Sequence, residues 1–450
     1  MKVLLVVHEF LPLHHTGTEQ YVRSLALAMR SSGIDAHVLA FEPLLDLASP
    51  GSQVLERDDE LEGIPVRRIS VHDSQSLNHR LRDYQNPLAS RMVARYIDEV
   101  GFDLVHVFHL RNIGAGAIKE VQLRGLPVVV HLMDFWWICP NYLLLQRDGS
   151  LCDGPPDGGM GCIPCIDPSL QQIVTDSSAA SLLRPLAHRP TPAGSPISSP
   201  LRQAHALLGR KDQLMTVLGT ADCVIAPSLF LGRIYRQHGL PARKLLQLPY
   251  GIDPGRFIES VPRKPILGSP HVDIGYIGSI SRHKGVHVLL EALRHVPATN
   301  LRVHIYGSRT SQPGYSEELI DGIQDSRVTF HGPFNPTSLG SILAGLHALV
   351  VPSIWYENTP FSALEAQYAG LPILASDLGS LPEIVRNGAG GFLFPAGNAR
   401  RLGLLMMRIA ADPATELAQA PPAPQSINEN IVALRAIYQD LIANQQRTST

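Results

Sequence analysis

Two segments of this chain carry residue types that could bind an anion and a polyhydroxylated group. The first is Tyr276-Ile-Gly-Ser-Ile-Ser-Arg-His-Lys-Gly285. Its pattern predicts a strand ending at Gly278, a loop, and a helix opening at Gly285. Glycine there lets backbone N–H groups approach a phosphate, the helix N-terminus favours negative charge, and Lys284 adds a full positive charge. Read alone, the same residues also suit ordinary turn glycines and a solvated lysine. The second segment is Ser353-Ile-Trp-Tyr-Glu-Asn-Thr-Pro-Phe-Ser-Ala-Leu-Glu365. Glu357 lies in its loop, and Glu365 stands two helical turns on if a helix begins near Pro360. Proline suits a first helical turn, and Thr359 before it is placed to cap. Carboxylates accept from paired hydroxyls, which ribose and hexoses present. Two solvated surface charges would look the same, but Glu365 sits among Leu364, Ala366 and Ala369 on a largely apolar helix.

A third constellation is Cys139, Cys152, Cys162 and Cys165. The last pair is Cys-x-x-Cys, and four thiolates satisfy tetrahedral zinc or a four-iron cluster. Glycines and prolines between them predict loop, which a metal would staple. Reduced free cysteines and disulfides stay open as alternatives. With four cysteines no coordination position is free, so a metal here is expected to be structural, with zinc ahead of an iron–sulfur cluster. Cys223, in an apolar strand, reads as core. Trp136 and Trp137 follow Asp134 at a strand end, where packing is expected and stacking on a sugar is the alternative.

These residues need elements to position them. Lys2–Val7 reads as a buried strand, Glu19–Arg30 as an amphipathic helix and Ala36–Phe41 as the next strand. Strand, helix and strand recur at Asp103–Phe108, Ala115–Leu123 and Pro127–Leu132, the alternation of a doubly wound parallel sheet. It starts afresh with strands at Val272–Ile277, Leu301–Tyr306, Ala348–Val351, Pro372–Ala375 and Gly391–Phe394. We therefore expect an N-terminal domain over 1–262, with the Cys-rich loop 139–165 and a Pro/Ser-rich insertion at 177–200. The prolines of 260–270 mark a linker, 270–412 a second domain, and 425–445 a final amphipathic helix. A length of 450 residues agrees with two such domains. Ligands of such sheets sit at the carboxyl ends of strands.

Composition narrows the function. Hydrophobic residues form 44% and charged residues 17%, too apolar for an intrinsically disordered chain. The formal net charge is −2, so there is no basic excess for binding nucleic acid. Net charge hides local patches, so peripheral contact with the inner face of a membrane stays open. The apolar opening is too short for a signal peptide, no window is long enough to span a bilayer, and five cysteines are no disulfide framework. A cytoplasmic protein is expected.

The two anion-binding segments resemble the donor-binding motifs of the retaining GT-B glycosyltransferases of group 1, a large family that includes bacterial mannosyl- and glucosyltransferases. Leu11-Pro-Leu-His-His-Thr-Gly-Thr-Glu-Gln-Tyr-Val22 is similar to the family's N-terminal glycine loop. Pro249-Tyr-Gly-Ile-Asp253 resembles its pre-linker motif, and Ala369-Gly-Leu-Pro-Ile-Leu-Ala-Ser-Asp377 with Pro382-Glu383 its C-terminal signature. The resemblance implies two facing Rossmann-like domains, with a C-terminal helix around Tyr438 crossing back to the first. It implies transfer of a sugar from a nucleotide-sugar to a carbohydrate or lipid-linked hydroxyl acceptor, with no cofactor or metal needed for catalysis and no obligate protein partner. Residue by residue, it implies that Lys284 holds the diphosphate, Glu365 the ribose and Glu357 the transferred sugar. Backbone N–H groups of Phe361 and Ser362 lie near the phosphates, and Gly17 admits diphosphate and acceptor. Gly278, Ser279, Arg282, Gly307, Asn358 and Thr359 complete the implied donor site.

Two positions depart from the family. Its arginine after the phosphate-strand glycine is here Ser279, with Arg282 or Arg309 as substitutes. Its histidine before the aspartate after the fourth strand is here Met133, beside Asp134. That leaves His131, if a bend brings it round, or His106 and His109, of which His109 is the better substitute and the expected acceptor-side catalytic group. Three rivals follow. A GT-B nucleotide-sugar epimerase would need no acceptor site, a non-catalytic scaffold would tolerate Ser279 and Met133, and an iron–sulfur protein would make the cysteines central.

Overall fold

In the first unit the apolar runs become parallel strands because helices cover both faces of the sheet. The strands are β1 (Lys2–Val7), β2 (Asp35–Phe41), β3 (Gln53–Leu61), β4 (Ile64–His72), β5 (Leu104–Val107), β6 (Val128–His131), β7 (Cys223–Ala226) and β8 (Leu245–Gln247). Their order is β3-β4-β2-β1-β5-β6-β7-β8, and every neighbouring pair is parallel except β3 with β4. This computed structural model describes residues 1–42, 53–72, 79–176, 181, 183, 199–257, 268–386 and 388–449. Most of the 177–200 insertion and of the 260–270 linker thus lies outside the described residues.

The β3–β4 hairpin was not expected from the sequence. Its strands carry Glu56, Arg57, Asp58, Asp59 and Glu60 opposite Arg67 and Arg68, so no apolar run announces them. Charge holds the pair instead: Arg67 donates to Glu56, Asp58 and Glu99, and Arg68 to Asp59. The two-residue turn is Glu62-Gly63, both with positive φ, which matches the twist of a tight hairpin.

The second unit holds β9 (Val272–Ile277), β10 (Leu301–Tyr306), β11 (Val328–Gly332), β12 (Ala348–Val351), β13 (Ile373–Ser376) and β14 (Gly391–Phe394). All run parallel in the order β11-β10-β9-β12-β13-β14. Alternate residues feed two cores: Val350 and Leu374 join Val286, Leu289, Leu402 and Met406, while Leu349 and Ile373 join Leu339, Leu343, Ala363 and Ala366. That alternation makes the sheet doubly wound. Edge strand β11 was not anticipated, because Thr329 and His331 break its apolar pattern.

The chain divides at Pro249/Tyr250, not within 260–270, and helix Ile427–Ser449 belongs almost wholly to the first unit. The boundary is shifted because Tyr250 stacks on Phe361 with ring centroids 5.0 Å apart, and Ile252 exchanges backbone bonds with Gln425 and Ile427. The final helix is fastened by its polar groups. Tyr21 Oη donates to Asn430 Oδ1 at 2.9 Å, and Tyr438 Oη lies 2.6 Å from His106 Nδ1. His106 is fully buried, and its Nε2 has no hydrogen-bond partner among the described residues. Tyr438→Phe should therefore lower stability by about 1–3 kcal/mol, by stranding the second ring nitrogen. The denaturant midpoint checks it, and an unchanged midpoint contradicts the account. No described helix is long and apolar enough to cross a membrane.

Candidate functional site

The order of the second sheet reverses between β9 and β12, and the loops after those two strands form the site. Gly285 has φ +74°, and a Cβ there would sit 1.9 Å from Pro352 O, so only glycine lets the loops meet. Ile354 N donates to His283 O at 2.9 Å and fastens them. A short 3₁₀ turn, Arg282–Lys284, then aims the lysine at the second loop.

Lys284 Nζ donates to Glu357 Oε1 at 2.8 Å. Ser353 Oγ, at 2.6 Å, and Trp355 Nε1, at 2.9 Å, donate to the same oxygen. The lysine ammonium also lies 4.9 Å from the Trp355 ring centroid, a cation–π contact. Glu357 is only 3% exposed. Burial alone would raise its carboxyl, but the Lys284 charge and these donors outweigh burial and hold it below its ordinary range. His283 is pushed down to about 4, chiefly by burial and then by Lys284, so it is neutral beside the pair. The result is a fixed carboxylate and a partly exposed cation at the carboxyl edge of the sheet.

The helix after this loop begins at Phe361, with Pro360 in the cap position and no side chain capping it. The expected Thr359 cap is not made, because Thr359 Oγ1 turns to Asn358 O at 2.6 Å. Glu365 is in the second turn and buried. Asn358 braces the loop: its Nδ2 donates to Tyr250 Oη at 3.3 Å, and Ser228 Oγ donates to its Oδ1 at 3.4 Å. Gly379, unremarked in the sequence, has φ +65°, and a Cβ would lie 2.6 Å from Glu357 O. Its signal was a lone Gly-Ser step after a strand.

Gly278 and Gly307 end neighbouring strands back to back. A Cβ on Gly307 would fall 1.8 Å from Gly278 O. Ser279 O accepts from Tyr276 Oη at 2.8 Å. Of the two substitutes for the missing arginine, Arg309 is engaged by Asp321 and lies over Phe330. Arg282 is exposed on the Lys284 loop.

In the first unit the sheet order reverses between β1 and β5. His8 follows β1, His109 follows β5, and their rings meet at a tilt of 36° with centroids 4.0 Å apart. His109 Nδ1 accepts from Arg111 N at 3.1 Å, which assigns its proton to Nε2, 3.2 Å from Asp134 Oδ2. His131 does not come round. It is fully buried against Tyr21, Phe108 and His106, and burial pushes it down to about 3. His106 is committed to Tyr438, and His109 meets Asp134 at the sheet edge. Gly17 is the first residue of helix Gly17–Ser31, and Thr16 Oγ1 donates to the carboxylate of Glu19, three residues on in the first helical turn. Glu19 is fully buried, and burial raises its carboxyl. Its Oε1 lies 3.9 Å from His8 Nε2. Ligand atoms of His8, Glu9 and Glu19 fall within 4.8 Å of one another, a geometry open to a cation. His8 and Glu19 had not been singled out; their only signal was their place after a strand end and in the first helical turn. Trp136 and Trp137 are buried, with Trp136 Nε1 donating to Asp83 Oδ2 at 3.0 Å, so they pack.

The four cysteines of 139–165 are free thiols. The segment was expected to be loop held by a metal. In fact Met160 and Ile163 pack with Leu170, Ala204, Leu207 and Leu208.

Comparison with known proteins agrees along most of the chain. The family profile for glycosyl transferases group 1 matches residues 271–412, and that for the glycosyl transferase 4-like domain matches residues 16–159. A D-inositol 3-phosphate glycosyltransferase of Corynebacterium urealyticum is 33% identical over 161 residues, 34% of this chain and 38% of that protein. A glycogen synthase of Mycobacterium tuberculosis is 32% identical over 188 residues, 40% of this chain and 43% of that protein. These matches span less than half of either relative. A D-inositol 3-phosphate glycosyltransferase of Arthrobacter is 24% identical over 429 residues, 90% of this chain and 87% of that protein. Among solved structures, an Anabaena protein in complex with UDP and glucose has a TM-score of 0.60 at 17% identity, covering 100% of this chain and 98% of its own. Sucrose-phosphate synthase of Thermosynechococcus elongatus has 0.59 at 18%, with the same coverage, which speaks to the fold.

Proposed function

Because the chain belongs to the group 1 glycosyl transferases, with two parallel-sheet α/β domains of GT-B type, we propose that it moves a sugar from a nucleotide-sugar to a hydroxyl acceptor with retention of anomeric configuration. The observation that carries this reading is the Lys284–Glu357 pair at the switch point of the second sheet. In this reading Lys284 holds the donor diphosphate, joined by backbone N–H groups at the uncapped start of helix Phe361–Tyr368 and by exposed Arg282. Glu357, fixed as a carboxylate, accepts from hydroxyls of the transferred sugar. Glu365 accepts from the ribose. As the glycosidic bond breaks, negative charge grows on the leaving diphosphate, and these preorganised positive groups stabilise it. The departing phosphate takes the acceptor's proton, so no protein nucleophile is required. His109, held by Asp134, serves the acceptor side.

A solved neighbour of this fold carries UDP-glucose, and relatives are named D-inositol 3-phosphate glycosyltransferases; both favour this substrate class. Neighbours that include a lipopolysaccharide outer core galactosyltransferase and a glycosyltransferase involved in lipopolysaccharide biosynthesis favour a glycan or lipid-linked acceptor. The test is incubation with a panel of nucleotide-sugars and acceptors, measuring nucleoside diphosphate release and product anomer. Glu365→Ala should weaken nucleotide binding by about 1.5–3 kcal/mol, the scale of a charge-assisted hydrogen bond. Calorimetric titration checks this. Unchanged affinity removes Glu365 from the ribose, and no release with any donor overturns the activity.

A further inference from the structure

Nothing in the sugar-transfer reading uses the segment from Trp137 to Asp167, yet its fold makes four cysteine sulfurs neighbours of one another. Cys139 ends a turn after β6, with its N–H bonded to Phe135 O at 2.7 Å. A tight loop follows, closed by the Leu145–Leu151 bridge, and returns the chain so that Cys152 N donates to Leu144 O at 2.9 Å. Cys162 and Cys165 then fall three apart on helix Cys162–Ile166, on one face. The sulfurs are electrostatic neighbours: Cys162 feels Cys139, Cys165 and Cys152, and Cys152 also bears on Cys139 and Cys165.

Backbone donors are aimed at these sulfurs. The N–H groups of Asn141 and Leu144 hydrogen-bond the Cys139 sulfur, and that of Arg147 the Cys165 sulfur. A thiolate accepts such bonds strongly and a neutral thiol only weakly. No disulfide relieves this arrangement.

We propose that Cys139, Cys152, Cys162 and Cys165 bind one zinc ion as four thiolates. Four protein ligands leave no open position, so the ion is structural. No three of the sulfurs lie within 4.8 Å of one another, whereas tetrahedral zinc sets sulfurs about 3.8 Å apart. Two of the sulfurs are engaged elsewhere: Cys139 Sγ–H is turned to Asn141 Oδ1 at 2.8 Å, and Cys152 Sγ–H to Gly154 O at 3.2 Å. Binding releases four protons to solvent, frees both sulfurs from those acceptors and rotates them inward. The loop so pinned begins five residues after Asp134, the partner of His109, and Tyr235 Oη already holds Asp134 O at 2.7 Å. Zinc thus extends the clamp on that edge of the first sheet.

The experiment is elemental analysis of full-length protein purified under reducing conditions, without chelator or a metal-affinity column. About one zinc per chain is expected in the wild type and in Cys223→Ser, which removes the cysteine outside the group. Cys162→Ser with Cys165→Ser should fall below about a tenth of that. Should the double variant fail to fold, wild type stripped by chelator and reloaded with cobalt gives the visible spectrum of a tetrahedral tetrathiolate site, and competing zinc erases it. Substoichiometric zinc, iron with acid-labile sulfide, a mass deficit from disulfides, or zinc retained by the double variant overturns the proposal. None of these outcomes depends on whether the protein transfers sugar.

Discussion

Lys284→Ala is expected to lower turnover at saturating donor by about 100- to 1,000-fold, the effect of removing one preorganised group from a developing oxyanion. The reasoning turns on where charge appears. A nucleoside diphosphate carries more negative charge after the glycosidic bond breaks than before. A fixed cation against it therefore binds the transition state more tightly than the ground state, and its loss appears in kcat as well as in the apparent donor constant. Glu357→Gln provides the contrast. It keeps a side chain that can meet Ser353 and Trp355 but removes the charge that orients the sugar hydroxyls, so transfer should fall while affinity for the bare diphosphate stays within about threefold. Steady-state kinetics at saturating donor, paired with calorimetry on the diphosphate, separates the two. If Lys284→Ala raises only the donor constant and leaves turnover intact, the lysine serves uniform binding and the mechanism above is wrong.

The second unit was the more legible half of the chain because its chemistry and its folding use the same residues. Gly285 and Gly307 are glycines because a Cβ at either would lie 1.9 or 1.8 Å from a neighbouring backbone oxygen, and such positions show in sequence as glycines near strand ends. Lys284 and Glu357 were singled out for their charge. That they meet each other in the unliganded protein was not readable, since 73 residues separate them. Only the adjacency of β9 and β12 in the sheet brings their loops together. Thr359 was misread for a local reason: at such a position the hydroxyl can cap the helix or bond a nearby carbonyl, and here it takes Asn358 O.

The first unit gave less, for two physical reasons. Its hairpin is held by ion pairs on a sheet edge, so neither apolar alternation nor a continuous run marked Gln53–His72. Its histidines are indistinguishable by type. His106, His109 and His131 all lie at strand ends, yet one ties down the last helix, one is sealed among aromatic rings, and one faces Asp134 and His8. Sorting them requires knowing which side of the strand each ring leaves by, and where the C-terminal helix docks.

Stability provides a test of the Lys284–Glu357 pair that needs no substrate. In the folded wild type the Glu357 carboxyl lies below its ordinary range, so the group contributes stability that is present above the unfolded value of about 4.3 and is lost as pH falls through the folded value. Lys284→Ala removes the full positive charge that sits on that buried oxygen. Burial then dominates and moves the carboxyl upward, reversing the sign. The variant should lose about 3 kcal/mol at pH 7, with the deficit shrinking as acid protonates the stranded carboxyl. Adding Glu357→Gln to Lys284→Ala deletes the unmatched charge while leaving the Ser353 and Trp355 donors an oxygen to meet, and should bring stability back to within about 1 kcal/mol of wild type. Transfer should not return, because the cation that meets the diphosphate is still missing. Urea unfolding of the three variants and wild type at pH 7 and pH 5 measures the cycle. A double variant less stable than Lys284→Ala, or a deficit that grows on acidification, would show that Glu357 does not depend on Lys284 for its charge.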